Sequence, residues 1–222
     1  MGQTILSFIK FGQEEHILDM FNNGNIYLNT IQSFRSFEDN CLRGDKYEGV
    51  SKIINYPKGN LEIKSINYKA EYLSLQVRES FEHVVGNIFS LYCISSFHIP
   101  NPLEFKIDEK ITEFGTHCII IKDNVEFLKR MEDCFKTNGI TLHHDFVSYY
   151  NASNFNGKLN VFQKPNEYSY QNEFRFYADS GLTKPLILNI GSLSEIAEIH
   201  KSKDVIGTLN LSIENCRFQE LF

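Results

Sequence analysis

The sequence has no tryptophan, only five prolines, and five cysteines, Cys41, Cys93, Cys118, Cys134 and Cys216, none of them in a C-x-x-C pair. An odd number of widely spaced thiols argues against a disulfide framework and against a zinc site built from short Cys pairs, and reads as reduced core cysteines. No stretch approaches the roughly 18 apolar residues of a membrane span, and no basic segment followed by an apolar run opens the chain. Gly2 follows Met1, but Leu6 stands where a myristoylation signal has Ser or Thr. The expectation is a cytoplasmic protein without a membrane partner. Also missing are the P-loop, the dinucleotide G-x-G-x-x-G, the G-x-S-x-G nucleophile elbow and the H-E-x-x-H metalloprotease pair, which removes several large enzyme classes. A formal charge of −6 argues against broad binding to a nucleic-acid backbone, although a local basic patch fits within an acidic whole.

What is present is globular composition. With 222 residues, 42% hydrophobic and 23% charged, the chain is long enough to bury a core without staples and falls in the size range of one domain. Thr4–Phe11 alternates as a strand; Gln13–Phe21 carries Ile17, Leu18, Met20 and Phe21 near one helical face; Asn22-Asn23-Gly24 ends that helix, and Asn25–Thr30 resumes as a strand. Ile31–Gly49 reads as an irregular polar loop, and Val50–Tyr56 with Leu61–Tyr68 as a hairpin turning at Pro57–Asn60. Glu71–Val85 reads as a strand followed by irregular chain, and Asn87–Ser96 and Thr116–Ile121 as buried strands. Asp123 is placed to cap a helix Asn124–Lys136 with Val125, Leu128, Met131 and Phe135 on its stripe. Further strands are expected at His144–Tyr150, Val161–Phe162, Glu173–Ala178, Leu186–Ile190 and Asp204–Ile213, and a short helix at Ser192–Ile199. Strands outnumber helices and few are spaced for βαβ crossovers. The fold class that follows is α+β, one domain over residues 1–222, with a largely antiparallel or split sheet.

Two polar segments stand out as candidate sites. Arg35, Glu38, Asp39, Arg43, Asp45 and Glu48 crowd into one loop. Three readings stay open for it: an exposed salt-bridged connection, a phosphate or carboxylate grip by Arg35 and Arg43 braced by Asp39 and Asp45, or a divalent-metal site. The second segment is Tyr168–Arg175. As a strand, its alternation puts Gln171, Glu173 and Arg175 on one face, either as a solvated sheet surface or as a carboxylate aimed into a cleft. His143-His144-Asp145 is the one zinc-like cluster, and adjacent strand residues point to opposite faces, so it reads as structural.

Read together, FEDNCLRGDKYEG, NIFSLYCISS and YSYQNEFRFY resemble an uncharacterised bacterial family with a Y-x-Y-x-x-E-[YF]-R strand, over roughly Ile5 to Ile196. The order of features is also distantly similar to ADP-ribosyltransferases of the R-S-E branch, whose split sheet wraps the nicotinamide end of NAD. That resemblance implies an ADP-ribosyltransferase-like fold and NAD as cofactor. It further implies a protein or nucleic-acid target, a toxin or phage-defence role, and an antitoxin or chaperone partner. Gln171 and Glu173 match the Q-x-E pair and would be catalytic. Ser95 and Ser96 fall near the Ser-Thr-Ser position, while the first-strand arginine is missing and Lys10 is the nearest basic residue. Tyr27 would stack on nicotinamide, Arg35 or Arg43 would grip the pyrophosphate, and Asp45 and Arg175 complete the cofactor set. Two other readings stay open: a ligand- or partner-binding module without catalysis, and a metal-dependent nuclease using Glu38, Asp39, Asp45, Glu48 and Glu173.

Overall fold

A computed structural model describes residues 4–36, 47–80, 85–96 and 105–209. The chain opens as β1 (Ile5–Gly12), α1 (Glu14–Asn23), β2 (Asn25–Thr30) and α2 (Ile31–Ser36), then β3 (Val50–Tyr56), β4 (Gly59–Ile63), β5 (Tyr68–Tyr72) and β6 (Leu75–Ser80). β7 (Asn87–Ser95), β8 (His117–Ile121), α3 (Asn124–Thr137), β9 (Thr141–Phe146), β10 (Ser148–Tyr150), β11 (Gly157–Lys158) and β12 (Gln163–Pro165) follow. The last described elements are β13 (Glu173–Asp179), β14 (Leu186–Asn189), β15 (Ala197–Lys201) and α4 (Ser202–Thr208). The fold is α+β, and every strand pair described is antiparallel except β10 with β12.

The main sheet divides at β7. One edge of β7 pairs with β13 from Asn87 to Tyr92, and β13 in turn carries β9. The other edge is shared: β1 takes Tyr92–Ser95 and leads on to β8 and β15, while β2 takes Asn87 and Ile88 and leads on to β14. Between those two contacts the Ser90 carbonyl meets no strand; it accepts a hydrogen bond from Lys10 Nζ at 2.8 Å, and the same ammonium lies over the Phe89 ring.

Strand alternation sorts the two faces of this sheet. Phe8, Phe89, Leu91, Phe174 and Phe176 face α1 and α3, whose Ile17, Met20, Phe127, Met131 and Phe135 close the largest core. The opposite face carries a smaller cluster of Ile9, Phe11, Tyr92, Ile94 and Val205, and a third, Val50, Ile53, Tyr150 and Leu159, joins β3 to β10 and the end of β11 outside the main sheet. A band of buried charge lies beside them on this face.

Several sequence expectations give way to tertiary context. Ile31–Ser36 is helical, started by the Thr30 hydroxyl accepting from Ser33 N. The turn near Pro57 does not form: the chain runs on into β4 and reverses at Lys64–Asn67, where Asn67 adopts a left-handed conformation, so β3 pairs with β6 and β4 with β5. Val161–Phe162 is a turn beside β12. Ala197–Lys201 is a strand because β8 offers a free edge to it, and Ser202–Thr208 is helical where β-branched residues read as a strand. In α3 the buried stripe is Phe127, Met131 and Phe135; Val125 is exposed.

Candidate functional site

The buried charge is concentrated around Arg175, the third residue of β13 and the partner of Ser90 on β7. Arg175 is 2% exposed, and Glu173 and Glu48 are each 5% exposed. A guanidinium has five N–H donors, and here each has an acceptor. Nε donates to Glu173 Oε1 at 2.9 Å, Nη1 to Glu48 Oε1 at 2.9 Å and to the Val161 carbonyl, and Nη2 to Glu48 Oε2 at 3.2 Å and Glu173 Oε2 at 3.4 Å. The fork is therefore bidentate on both carboxylates, the geometry that makes arginine rather than lysine suited to this position.

Glu173 is equally committed. Its Oε1 accepts from Ser90 Oγ and Arg175 Nε, and its Oε2 from Arg175 Nη2 and from Lys164 Nζ at 2.8 Å. A carboxylate offers about four lone-pair sites, so the group is filled. Lys164, also buried, donates a second bond to Gln171 Oε1 at 2.8 Å and sits above the Tyr168 ring. Two acids and two cations make a neutral lattice. Burial alone would raise the Glu173 pKa, but the charges and hydrogen bonds of Arg175 and Lys164 outweigh it and hold the carboxyl well below the usual range. Burial likewise opposes the charge on Arg175, and the two glutamates more than restore it.

Two tyrosines close the surroundings. The Glu173 backbone N–H donates to Tyr149 Oη at 3.0 Å, and Asn172 Nδ2 donates to Tyr92 Oη at 2.9 Å. Burial, and next the nearby Glu173 charge, push the Tyr149 phenol upward, while burial takes Tyr92 to about 12 against the lowering effect of the Asn172 hydrogen bond. Both stay protonated and neutral at ordinary pH. The Cys93 and Cys118 thiols are likewise raised to about 12 by burial, which removes them as nucleophiles.

Beside the Glu48 end of the lattice is a cavity of about 300 Å³. Its wall includes Tyr47, Glu48, Asn160, Gln163 and Tyr177, with Ile31, Val50 and Leu159 supplying apolar surface. An apolar wall with a few convergent amides, phenols and one carboxylate is the general make-up of a small-molecule site, at the lower end of the usual volume range.

The structure gathers Gln171, Glu173 and Arg175 as the sequence led one to expect, but by a different route. Gln171 is not on the strand: Asn166–Gln171 is a 3-10 turn, and Asn172 breaks it with a left-handed conformation at φ 38° before β13 begins. Gln171 reaches Glu173 through Lys164 instead. Ser95 and Ser96 lie at the far end of β7, roughly 17 Å of strand beyond Ser90, where Ser95 pairs with Ile5 and Ser96 Oγ accepts from Thr4 N. Tyr27 is exposed on β2 across from Ile187, and Arg35 donates to Ser80 Oγ at 3.2 Å on the surface. Glu38, Asp39, Arg43 and Asp45 lie outside the described residues. Lys10 points to the fork in the sheet, on the side of Phe89. His143 stacks on Tyr177 and His144 packs on Phe174 and Phe176, on opposite faces of β9. No group of three or more metal-ligating side chains occurs among the described residues.

Sequence reasoning missed Ser90, Lys164 and Tyr149. Ser90 had a visible signal, as the one serine inside the apolar run NIFSLYC. Lys164 and Tyr149 had none, since their contacts depend on where β10, β12 and β13 meet. In comparisons with family models, curated proteins and solved structures, none matches the chain.

Proposed function

We propose that this chain is a small-ligand-binding domain, with the cavity between Tyr47, Glu48, Asn160, Gln163 and Tyr177 as its site and the charge lattice as its rigid wall. The observation that carries this reading is the saturation of Glu173 and Arg175. All five donors of Arg175 and the lone-pair sites of Glu173 are used, so these two groups hold shape, while the amide NH2 groups of Asn160 and Gln163, whose oxygens accept backbone N–H groups, line the cavity next door. The lining suits a flat ring bearing an amide or hydroxyls: the ring edge of Tyr177, whose one face His143 covers, for apolar contact, and two side-chain amides for hydrogen bonding. The nicotinamide-riboside half of NAD has that chemistry and is the first ligand to test. Isothermal titration with NAD and with nicotinamide riboside should give saturable binding that Gln163→Ala and Tyr177→Ala each weaken about tenfold, near 1.4 kcal/mol. Binding that both substitutions leave unchanged moves the ligand out of this cavity.

A second reading is favoured by the division of the sheet at β7 with Glu173 beside it. In this reading the chain is an ADP-ribosyltransferase acting on a protein or nucleic acid in a toxin or phage-defence role. The ribose–nicotinamide bond breaks, the electron pair leaves with nicotinamide, and a target nucleophile takes the sugar carbon. Glu173 would stabilise the positive charge on the sugar, which requires Lys164 or Ser90 to release a lone pair first. Transfer of label from NAD to cell extract that is abolished by Glu173→Gln supports it. Equal labelling by wild type and variant removes Glu173 from the chemistry. A nuclease reading has less support here, because the charges of Glu48 and Glu173 are already balanced by Arg175 and Lys164.

A further inference from the structure

The segment from β3 to β6 forms an arm whose outer part, β4 with β5, is a ribbon paired only with itself, while β6 runs back to the body alongside β3. Alternation along β6 puts Gln76, Arg78 and Ser80 on one face and Val77 and Glu79 on the other. The first face looks inward, since Ile53, the cross-strand partner of Arg78, is fully buried. Gln76 is locked there: its Nε2 donates to the Ala152 carbonyl at 2.8 Å and to Asn55 Oδ1 at 2.9 Å, and its Oε1 accepts from Tyr47 Oη at 3.3 Å. Arg78 is fixed on this frame. Its guanidinium lies 4.2 Å from the centre of the Tyr47 ring, with Nε donating to Gln76 Oε1 at 2.7 Å and Nη2 to Tyr47 Oη at 3.2 Å. Those bonds use the Nε–Nη2 edge of the fork, and the Nη1–Nη2 edge keeps its parallel donors. Two residues along, Ser80 Oγ accepts from Arg35, which stands one helical turn after Ile31 on α2. Tyr47 and Ile31 both belong to the cavity wall, so the two arginines flank its rim. Of the four described arginines, Arg130 and Arg175 are paired with carboxylates, whereas Arg35 and Arg78 have no acidic partner among the described residues.

We propose that Arg78 and Arg35 form an anion subsite at the rim of the cavity, so that its ligand carries a phosphate group beyond the part the cavity encloses. This rests on the cavity being the binding site. A free guanidinium edge meets two phosphate oxygens at once, and a fork already held by a ring and two hydrogen bonds loses little freedom in doing so. Arg78 and Ser80, the residue that holds Arg35, are roughly 7 Å apart along the strand, inside the ~8 Å over which exposed charges act in physiological salt, so the two positive charges add. Two cations without a counter-acid suit a dianionic phosphate better than a singly charged carboxylate. Glu48, the carboxylate in the cavity wall, does not oppose an anion, because Arg175 balances it.

Isothermal titration at constant ionic strength with nicotinamide riboside, nicotinamide mononucleotide and inorganic pyrophosphate tests the subsite separately from the cavity. The mononucleotide should bind the wild type about tenfold more tightly than the riboside. Arg78→Gln should abolish that difference, Arg78→Lys should keep only part of it, and Arg35→Gln should reduce it. Each should retain the wild-type circular dichroism spectrum, since both side chains are exposed. Gln163→Ala should weaken both ligands alike, and Lys52→Gln, which removes a cation paired with Glu79 on the outer face, should change neither. A wild type that binds both nicotinamide compounds equally, or a difference that persists in Arg78→Gln, overturns the subsite. If neither nicotinamide compound binds, that choice of ring fails and pyrophosphate decides. Saturable pyrophosphate binding that Arg78→Gln abolishes and Gln163→Ala preserves upholds the subsite; no binding, or binding that Arg78→Gln leaves unchanged, overturns it.

Discussion

The lattice around Arg175 and the Val50–Ser80 arm invert the ordinary distribution of residues in opposite ways. Around Arg175, two acids and two cations are buried among clusters of apolar side chains; on the arm, leucines, isoleucines and tyrosines stand in water. The buried charges are tolerated because each charged group finds hydrogen-bonded partners of opposite charge, whereas each of the exposed apolar side chains keeps more than a third of its surface in water. Completeness separates the two regions. A cluster whose central groups are filled holds its shape, and an apolar face left open to water costs free energy for as long as it stays open. The two regions are joined: Glu48 precedes β3, so the arm leaves the body from the residue that Arg175 grips.

If saturation is what makes the lattice tolerable, removing its centre should do the most damage. Arg175→Met strands two buried carboxylates and is expected to cost roughly 3–5 kcal/mol in urea unfolding; a loss under 1 kcal/mol would mean that water already reaches the cluster. Acid should act on the same contacts. The folded-state pKa of Glu173 is depressed below its ordinary value, so its contribution to stability is complete above the normal glutamate range and is lost as pH falls through that range towards the folded value. The urea midpoint of the wild type should therefore fall more steeply below about pH 4.5 than that of Glu173→Gln. Ser90→Ala takes away a single donor and should cost about 1–3 kcal/mol. The arm sits at the other extreme. Leu61→Asp should change stability in urea unfolding by no more than about 0.5 kcal/mol. A large loss there would show that the ribbon face is packed against its own body, and would erase the contrast between the regions.

Much of the fold was readable where local signals agreed. The strand–helix–strand opening is found within two residues of its expected bounds, because apolar period and the Asn-Gly stop point the same way; Gly24 takes the left-handed cap at φ 69°. Asp123 caps α3 through Glu126 N as its sequence position suggests. Reading failed where neighbours decide. Ala197–Lys201 is extended only because β8 is beside it, and no local feature of Ser202–Thr208 outweighs its β-branched residues. The site divides similarly. Period-two alternation correctly put Glu173 and Arg175 on one face, but their partners come from Glu48, Ser90 and Lys164, brought in by registers that no short window of sequence contains.

Lys10 has a consequence for how the sheet is held together. Where β1 and β2 separate along β7, the ladder gives up a hydrogen bond, and the Lys10 ammonium fills the gap at the Ser90 carbonyl. A flexible side chain rather than a backbone strand thus holds the crotch of the sheet. Ser90 thereby ties this wedge and the charge lattice together, since its carbonyl accepts from Lys10 while its hydroxyl donates to Glu173.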